Sequence, residues 1–439
     1  MQVKLRVLYT FVLIAGLLPV AAQAQDIIVV HAGTLLAVPG AEPRSEQTIL
    51  LKGNRITAVA EGFTDPATLG DGTRLIDLSD KFVLPGLMDM HVHLLGELGP
   101  TSRTDSLTTT TSMSAMKGVQ FAGRTLHAGF TTVRDLGGDP EAIYALRDAV
   151  AKGIIPGPRI LAAGSSIAAT GGHGDVDGVK AELLTLWTPE TICDGPYDCR
   201  RATRHAVKYG ADWIKITATG GVLSDTATGT GQQMTSDELQ EIMDTAHALG
   251  VKVAAHAHGT DGINAALRAG VDSIDHGTFL DNESIRLFKR NGAYLVPTLL
   301  PGAKIPPMMD GNPFFTEAIK AKANAAAAAS LNNVKLAYEA GVNIAFGTDT
   351  GVTKHGANAE EFALMVQAGM SEMAAIRAAT VVAAELIGRS ADLGTIEVGK
   401  FADIIAVDGN PLDDITVLES VDTVIRDGKL VGAEAHKHE

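Results

Sequence analysis

The sequence predicts an α/β protein with two parts: a closed barrel of eight parallel strands, and a small β-sandwich domain formed from both ends of the chain. Three observations indicate this. The chain has 439 residues, 46% of them hydrophobic and only 20% charged, so it can bury a large core. Short β-rich segments occur near both ends. Between them, apolar strand-like runs alternate with helix-like stretches.

Residues 1–24 are predicted to be a secretory signal peptide and are left out of the fold. Lys4 and Arg6 precede an apolar stretch at 7–22, and Ala22 and Ala24 mark a cleavage site. No other run is long enough to span a bilayer. We therefore expect a periplasmic or secreted protein that is not a membrane protein once the signal is removed.

The charge of the chain limits its partners. Its formal net charge is -15, which becomes -17 without Lys4 and Arg6, because the first 24 residues contain no acidic residue. Such a surface disfavours nucleic acid and anionic lipid as partners. A small molecule or short peptide is the expected partner.

The sequence contains two cysteines, Cys193 and Cys199, with five residues between them. In an exported protein they can close a small loop through a disulfide, and two reduced thiols are the alternative. Their spacing does not suggest a zinc site.

The small β domain is predicted from residues 25–83 and 389–439, the latter including the tail. Each strand candidate is β-rich and bounded by turn residues. The candidates are 26–31, 48–51, 56–59 and 74–78 at one end, and 402–407, 421–426 and 429–431 at the other.

Residues 84–388 are predicted to form the (β/α)8 TIM barrel. The eight strand candidates are 84–93, 131–136, 159–164, 213–218, 251–257, 273–277, 294–300 and 343–349. Helix candidates lie between them, such as 235–249, which opens with a capping box at Thr235 and Glu238, and 317–340. An open doubly wound sheet is the alternative. In a barrel, catalytic groups lie at the carboxyl ends of the strands.

Polar side chains interrupt the apolar strands close to these ends. His91 and His93 lie two residues apart, so in a strand both face the same side. Neutral imidazole suits zinc and related divalent metals. The candidate metal-ligating residues are His91 and His93 on the first strand, Lys215 on the fourth, His256 on the fifth, His276 on the sixth and Asp349 on the eighth.

Lys215 is the informative member of this set. A buried ammonium is costly unless it is paired or neutral. Carbon dioxide can carboxylate such a lysine, and the resulting carbamate is an anionic ligand that can bridge two cations. A salt bridge across the barrel is the alternative for Lys215.

With these residues in place, the sequence resembles the metal-dependent amidohydrolase superfamily. Within it, the resemblance is to the imidazolonepropionase-like branch, which includes Xaa-Pro dipeptidases, carboxypeptidases acting before Arg or Lys, and ochratoxin-type amide hydrolases. The motifs that carry it are Leu-Pro-Gly-Leu-Met-Asp-Met-His-Val-His, Thr-Thr-Val-Arg-Asp, Thr-Gly-Gly-His-Gly, Ala-Thr-Gly-Gly-Val, His-Ala-His-Gly, Asp-His-Gly-Thr, Gly-Thr-Asp and Gly-Lys-Phe-Ala-Asp-Ile. They span nearly the whole chain after the signal peptide.

The resemblance implies two divalent metal ions, expected to be zinc. One would be held by His91, His93, carboxylated Lys215 and Asp349, and the other by Lys215, His256 and His276. Deaminase-like branches carry an acidic residue shortly after the histidine of the fifth strand, whereas here Ala257, His258 and Gly259 follow His256. This difference favours a binuclear hydrolase. The resemblance also implies assembly into a homo-oligomer.

The expected reaction is hydrolysis of the amide bond of a dipeptide or N-acyl amino acid, including ochratoxin-like aromatic amides, with release of the C-terminal amino acid. A metal-bridging hydroxide would attack the carbonyl, and Asp349 would act as general base and then as general acid. Proline, basic and aromatic leaving groups are all open. A cyclic amide or lactone hydrolase is the alternative, and a non-catalytic binding protein is a further one.

Five residues are candidate substrate contacts. His173 follows the third strand in a Gly-rich loop, and a loop-stabilising hydrogen bond is its alternative role. His258 is expected to contact the substrate or to support the metal ligands. Arg134 can pair with a substrate carboxylate, with a structural ion pair as the alternative. Gly221 and Val222 are predicted to lie in a loop that lets the substrate approach the backbone.

An apolar lid is predicted after the seventh strand. Phe314 and Phe315 follow a segment rich in Pro and Met, and such a lid would suit bulky hydrophobic substrates. A loop that packs these side chains away from the site is the alternative.

Overall fold

The computed structural model describes residues 27–432 apart from 177–179, 181, 183, 185–187 and 226–228. The predicted signal peptide, residues 1–24, lies outside the described residues. Within the described part of the chain, no helix is long and apolar enough to cross a membrane.

A seven-stranded mixed sheet combines strands from both ends of the chain. Its strands are Ile27–Leu35, Arg44–Lys52, Arg55–Glu61, Arg74–Pro85, Ile404–Val407, Val421–Arg426 and Lys429–Leu430. The strand Arg74–Pro85 joins the two groups, because it pairs in parallel with Ile27–Leu35 and antiparallel with Ile404–Val407. The described strands therefore form one hydrogen-bonded sheet from both chain ends, and its folding into a sandwich stays a prediction.

Eight further strands make up two parallel sheets. The three-stranded sheet contains Leu87–Val92, Phe130–Asp135 and Arg159–Ala162, and the five-stranded sheet contains Trp213–Thr217, Lys252–Ala257, Ser273–His276, Tyr294–Val296 and Asn343–Ile344. Every neighbouring pair within them is parallel. This agrees with the predicted α/β class.

Helices connect these strands. They are Ser102–Thr108, Thr111–His127, Pro140–Ala151, Pro196–Tyr209, Ser236–Ala248, Thr260–Ala269, Asn282–Asn291, Leu300–Met308, Glu317–Glu339, Glu360–Gln367, Glu372–Ala378 and Val381–Leu386. The capping box predicted at Thr235 and Glu238 is present. Short 3-10 turns cover Pro66–Leu69 and Ile415–Glu419.

Several strand boundaries differ from those predicted. Leu84 and Pro85 belong to the preceding strand, because the Gly86 N–H donates to Asp403 O in the terminal sheet and separates them from Leu87–Val92. The seventh and eighth strands of the central region are shorter than predicted and end at Val296 and Ile344.

The two parallel sheets meet at both of their margins. Isolated parallel bridges join Ile167 to Ile216 and Val92 to Thr350. Backbone hydrogen bonds accompany them, including Thr217 N to Ile167 O at 3.1 Å and His93 N to Thr350 O at 2.7 Å. The carboxyl ends of all eight strands are thereby brought to one side, where the site described below lies.

Cys193 and Cys199 form a disulfide, with 5.0 Å between their Cα atoms. This decides between the two alternatives that the sequence left open. Both cysteines are buried, and Cys199 lies in the helix Pro196–Tyr209.

Candidate active site

Histidines from several strand ends gather around one cavity of about 310 Å³. His91, Lys215, His256 and His276 lie within the strands, and Asp349 follows the last of them. The polar lining of the cavity includes His91, His93, His173, Lys215, His256, His258, His276 and Asp349. The structure thus brings together all six predicted metal-ligating residues and three of the predicted substrate contacts, His173, His258 and Val222.

One cluster of possible ligand atoms consists of His91, His93 and Asp349, whose ligand atoms all lie within 4.8 Å of one another. Asp349 Oδ1 is 3.2 Å from His93 Nε2 and 3.5 Å from His91 Nε2. His93 Nδ1 lies 2.9 Å from Gly137 O. Because a carbonyl only accepts hydrogen bonds, Nδ1 carries a proton, and Nε2 is the atom directed toward Asp349. Although burial opposes it, the hydrogen bond to Asp349 raises the pKa of His93 above the ordinary 6.5, so a metal would displace a proton from Nε2.

A second cluster consists of His256, His258 and His276, again within 4.8 Å. Thr298 Oγ1 is 2.7 Å from His276 Nδ1, and Thr278 Oγ1 is 2.7 Å from His258 Nδ1. Each hydroxyl orients its ring and leaves Nε2 for the cluster. His256 Nε2 is buried and has no hydrogen-bond partner among the described residues. An orphaned buried nitrogen of this kind is what a metal ion would satisfy.

The protonation of these rings also fits a metal. Burial lowers the pKa of His91, His256 and His276 well below the ordinary 6.5. These side chains are therefore neutral near pH 7, and neutral imidazole is the form that binds a metal. The described residues thus hold two candidate sites for divalent cations, with the nitrogen and oxygen donors that zinc accepts.

Lys215 forms a buried ion pair in its unmodified state. Its Nζ is 2.6 Å from Asp275 Oδ2, and Asp275 Oδ1 is 3.1 Å from the Arg134 guanidinium. Burial lowers the pKa of Lys215, although Asp275 opposes this. The salt bridge that the sequence left as an alternative is therefore present, with Asp275 as its partner.

Arg134 is not placed to bind a substrate carboxylate. Its side chain is 0% exposed and does not line the cavity. Besides Asp275, its guanidinium donates to Met90 O at 2.7 Å and stacks 4.5 Å from the Trp213 ring. These contacts occupy the N–H donors of the guanidinium inside the core. The structure favours the alternative role, a structural ion pair, and its partner is Asp275.

Sequence reasoning missed Asp275, although a signal for it exists. It is an acidic residue within the strand Ser273–His276, and its side chain is fully buried. A buried carboxylate requires cationic or hydrogen-bonding partners. Its partner Lys215 lies two strands away in the five-stranded sheet, beyond the strand Lys252–Ala257.

Two loops meet at His173 and form one wall of the cavity. The His173 N–H donates to Gln233 Oε1 at 2.8 Å, and its Nδ1 contacts Ser224 Oγ. A Cβ at Gly221 would lie 2.2 Å from His173 Cε1, so glycine is needed there for the ring to approach. Gly221 thus makes room for His173, whereas Val222 lines the cavity itself.

The Lys322 ammonium supports the same loop from behind. It donates to Gly221 O at 2.8 Å and to Ser224 O at 2.5 Å. Both carbonyls flank the cavity-lining residues Val222 and Leu223. Lys322 is a further residue that sequence reasoning missed.

The predicted lid lies one layer behind the cavity. Phe315 is buried and packs in an apolar cluster with Val222 and Ile305, and Phe314 packs against this cluster. Ile305 lines the cavity, but neither phenylalanine does. The aromatic side chains therefore support the apolar wall and do not form it.

Residues 82–431 match the model of the amidohydrolase family. The chain belongs to the amidohydrolase family. The resemblance stated from the motifs is confirmed, and this amidohydrolase is a hydrolase that acts on amide bonds.

The chain is similar to an ochratoxinase, a Xaa-Pro dipeptidase and a prolidase. Ochratoxinase of Aspergillus niger is 34% identical over 368 residues, which cover 79% of this chain and 75% of that protein. A crystal structure of a Xaa-Pro dipeptidase with bound methionine in the active site is 42% identical, covers 92% of this chain and 99% of that one, and has a TM-score of 0.87. A prolidase complexed with N-methylphosphonate-L-proline is 30% identical, with coverage of 92% and 99% and a TM-score of 0.83.

Glu361 is a buried carboxylate of the amidohydrolase that lies outside the two clusters. It accepts hydrogen bonds from Leu299 N and Leu300 N, each at 2.7 Å. These N–H groups follow Thr298, which holds His276, and open the helix Leu300–Met308. Burial raises the pKa of Glu361 to about 8.

This pKa gives a prediction for the metal-free protein. The ordinary value for Glu361 is 4.5, so between the two values the folded state binds a proton that the unfolded chain has released. The stabilisation is present at low pH and is lost as pH rises through about 8, at about 1.4 kcal/mol per pH unit. In urea unfolding from about pH 5 to about pH 8, the change in the free energy of unfolding with pH should differ between the wild type and Glu361→Gln by up to this slope, since the buried histidines contribute equally to both. The neighbouring variant Glu360→Gln should keep the slope, and equal slopes in the two variants would contradict the assignment.

Proposed function

We propose that this amidohydrolase cleaves the amide bond of dipeptides or N-acyl amino acids and releases the C-terminal amino acid. The observation that carries the proposal is the pair of ligand clusters that line one cavity, His91, His93 and Asp349 in one and His256, His258 and His276 in the other. The same cavity is also lined by residues of one apolar cluster. A site of this kind suits a substrate with a central amide and an apolar side chain.

We infer that the two parallel sheets close into one (β/α)8 barrel. The bridges Ile167–Ile216 and Val92–Thr350 support this closure. A closed barrel would explain why ligands from the first and the last strand, His91 and Asp349, lie side by side.

Two divalent cations, zinc in this proposal, would occupy the clusters. His91, His93 and Asp349 would hold one, His256 and His276 the other, with carboxylated Lys215 shared between them. When bound, such ions activate water and polarise the carbonyl.

The surroundings of Lys215 support the proposed carboxylation. Its lowered pKa favours the neutral amine, which is the form that reacts with carbon dioxide. The carbamate nitrogen keeps one N–H and can still donate to Asp275, whose charge Arg134 balances.

Asp349 would move the proton during hydrolysis. Its carboxylate lines the cavity between His91 and His93, so it can take a proton from the attacking water and deliver it to the leaving amine. Because His256 and His276 would hold the second cation, His258 is free for the substrate, and His258 and His173 would donate hydrogen bonds to the carboxylate of the released amino acid. Each holds its Nδ1 against a hydroxyl, of Ser224 or Thr278, so that Nε2 is left for the substrate.

The apolar part of the cavity lining favours particular leaving groups. It consists of Val222, Leu223, Ile305, Ala323 and Val352, which pack in one cluster. Among the described residues that line the cavity, Asp349 is the only acid. Since a buried cationic side chain needs an anionic partner, the proposal favours proline, aromatic and other apolar leaving groups over Arg and Lys. The relative that binds methionine is in keeping with this preference.

A substrate panel tests the function. The zinc-loaded enzyme should hydrolyse Ala-Pro, Ala-Phe and Ala-Met with kcat/KM at least about 100-fold above that for Ala-Arg, because an unpaired buried charge costs several kcal/mol. Treatment with a chelator should abolish all of these activities. Faster hydrolysis of a hydantoin or a lactone than of any dipeptide would favour the cyclic-substrate alternative. If the purified protein contained no metal and hydrolysed none of these substrates, it would be a non-catalytic binding protein.

Two further expectations complete the proposal. Export of the chain is expected from residues 1–24, and the disulfide Cys193–Cys199 supports an oxidising compartment. Assembly into a homo-oligomer stays a prediction.

A further inference from the structure

We propose that the disulfide Cys193–Cys199 acts as a clamp on one wall of the active-site cavity and thereby controls how tightly the substrate is held. The wall is the segment 166–174. The inference rests on the proposed function only where a dipeptide is used as the probe.

The segment 166–174 supplies three residues of the cavity lining, Ser166, His173 and Gly174. At its start, Ile167 is joined to the strand that carries Lys215, since Ile167 N donates to Lys215 O at 2.7 Å. At its far end, His173 N donates to Gln233 Oε1. The residues between these anchors have another partner.

That partner is the segment 191–194, which runs beside the wall. The Thr191 hydroxyl donates to Ser166 O at 2.8 Å. Ala168 and Ile192 form a parallel bridge, and the next residue, Cys193, donates its N–H to Ala168 O at 2.9 Å. The first half of the wall is therefore paired, step by step, with the chain that leads into the disulfide.

Asp194 extends this pairing to the turn that precedes His173. Its carboxylate accepts from Thr170 N at 3.2 Å and from Thr170 Oγ1 at 2.8 Å. The following residue, Gly195, donates its N–H to Glu238 Oε1 at 2.7 Å. Glu238 also accepts from Thr235 N as part of the capping box of the helix Ser236–Ala248.

The disulfide makes this pairing rigid. It joins Cys193, beside the wall, to Cys199 in the first turns of the helix Pro196–Tyr209, and both side chains are buried. Without the bond, segment 191–194 would be held only by hydrogen bonds and by the packing of its buried side chains, and the wall that it supports would fluctuate more. Because the metal-ligating residues lie on the strands, this loosening should change substrate binding and leave metal binding intact.

The test compares the zinc-loaded full chain with the variant Cys193→Ser/Cys199→Ser. We expect the KM for Ala-Pro to rise about tenfold, because a displaced wall positions the substrate less well. The kcat should stay within about twofold of wild type, and the zinc content should not change. Amide hydrogen exchange in residues 166–174 should become faster, which is a readout that needs no substrate.

A second variant keeps the disulfide and removes only the contact with the wall. Asp194→Ala deletes both hydrogen bonds to Thr170, and we expect the KM to rise about threefold, with faster exchange in 166–174. The matched control is Asp414→Ala. The Asp414 carboxylate accepts from Thr416 N at 3.0 Å and from Thr416 Oγ1 at 2.6 Å, and it precedes the 3-10 turn Ile415–Glu419. This control should alter neither KM nor exchange in the wall.

The proposed clamp would be overturned if amide hydrogen exchange in residues 166–174 stayed at the wild-type rate in both the cysteine variant and Asp194→Ala. The proposal would also be overturned if the cysteine variant lost zinc and had a lower kcat at an unchanged KM, since that pattern indicates a general structural role of the disulfide. Should the cysteine variant fail to fold, Asp194→Ala decides the question. Should the wild type hydrolyse no dipeptide, the proposed function fails, and the exchange comparison still decides the clamp by itself.

Discussion

Replacing Asp349 by asparagine should lower the kcat for dipeptide hydrolysis by roughly 10²–10⁴-fold, the range that a positioned general acid–base contributes. Asparagine has the same shape and keeps an oxygen near His91 and His93, but it cannot take up a proton. The backbone also accepts it, because Asp349 has a φ of 57° and asparagine tolerates this left-handed conformation. The variant therefore separates chemistry from folding.

The measurement is steady-state hydrolysis of Ala-Pro with zinc content determined on the same samples. The matched control is Asp408→Asn, an exposed carboxylate that pairs with Lys81 in the terminal sheet. It should behave as wild type. A kcat for Asp349→Asn within tenfold of wild type, at equal zinc content, would remove Asp349 from the proton-transfer role.

Removing the Lys215 amine should reduce metal content as well as activity. We expect about two zinc ions per chain in the wild type. In Lys215→Ala, zinc content should fall and kcat/KM should drop at least about 100-fold. The physical reason is that the proposed carbamate is the one ligand shared by both cations.

Lys215→Arg distinguishes a carbamate from a salt bridge. Arginine keeps a cation beside Asp275, 2.6 Å from the present ammonium, but it is not carboxylated. If the ion pair is what matters, Lys215→Arg should retain zinc and activity that Lys215→Ala loses. If the carbamate matters, both variants should lose them alike. One zinc ion per chain in all three proteins would indicate a mononuclear site and redirect the search to cyclic substrates.

Much of the candidate site could be predicted because its chemistry is local in the sequence. The two-residue spacing of His91 and His93 places both rings on one side of a strand. Lys215 and His256 each stand out as polar residues in short, mainly apolar strands, and His276 ends the next strand. The family followed from such motifs, and the match over residues 82–431 confirms it.

Some predictions had two open alternatives, and the direction in which a side chain packs is what distinguishes them. Arg134 lies on a strand of the central region, as expected, yet its guanidinium is directed into the core toward Asp275. Gly221 lies in the expected loop, but the group that approaches it is His173. Phe314 lies behind Ile305 and does not line the cavity. Sequence periodicity places a residue on an element, but it does not say which neighbour its side chain meets.

The sequence by itself determined the α/β class, the family and the residues able to bind metal, since these depend on residue type and on spacing along one strand or loop. Only the tertiary structure decided which of them act together. Asp275 lies 60 residues from Lys215 and 141 from Arg134, and pairs with both. The single seven-stranded sheet likewise depends on strand Arg74–Pro85, which has partners from both chain ends. Contacts between such distant positions depend on packing in three dimensions, which local patterns do not encode.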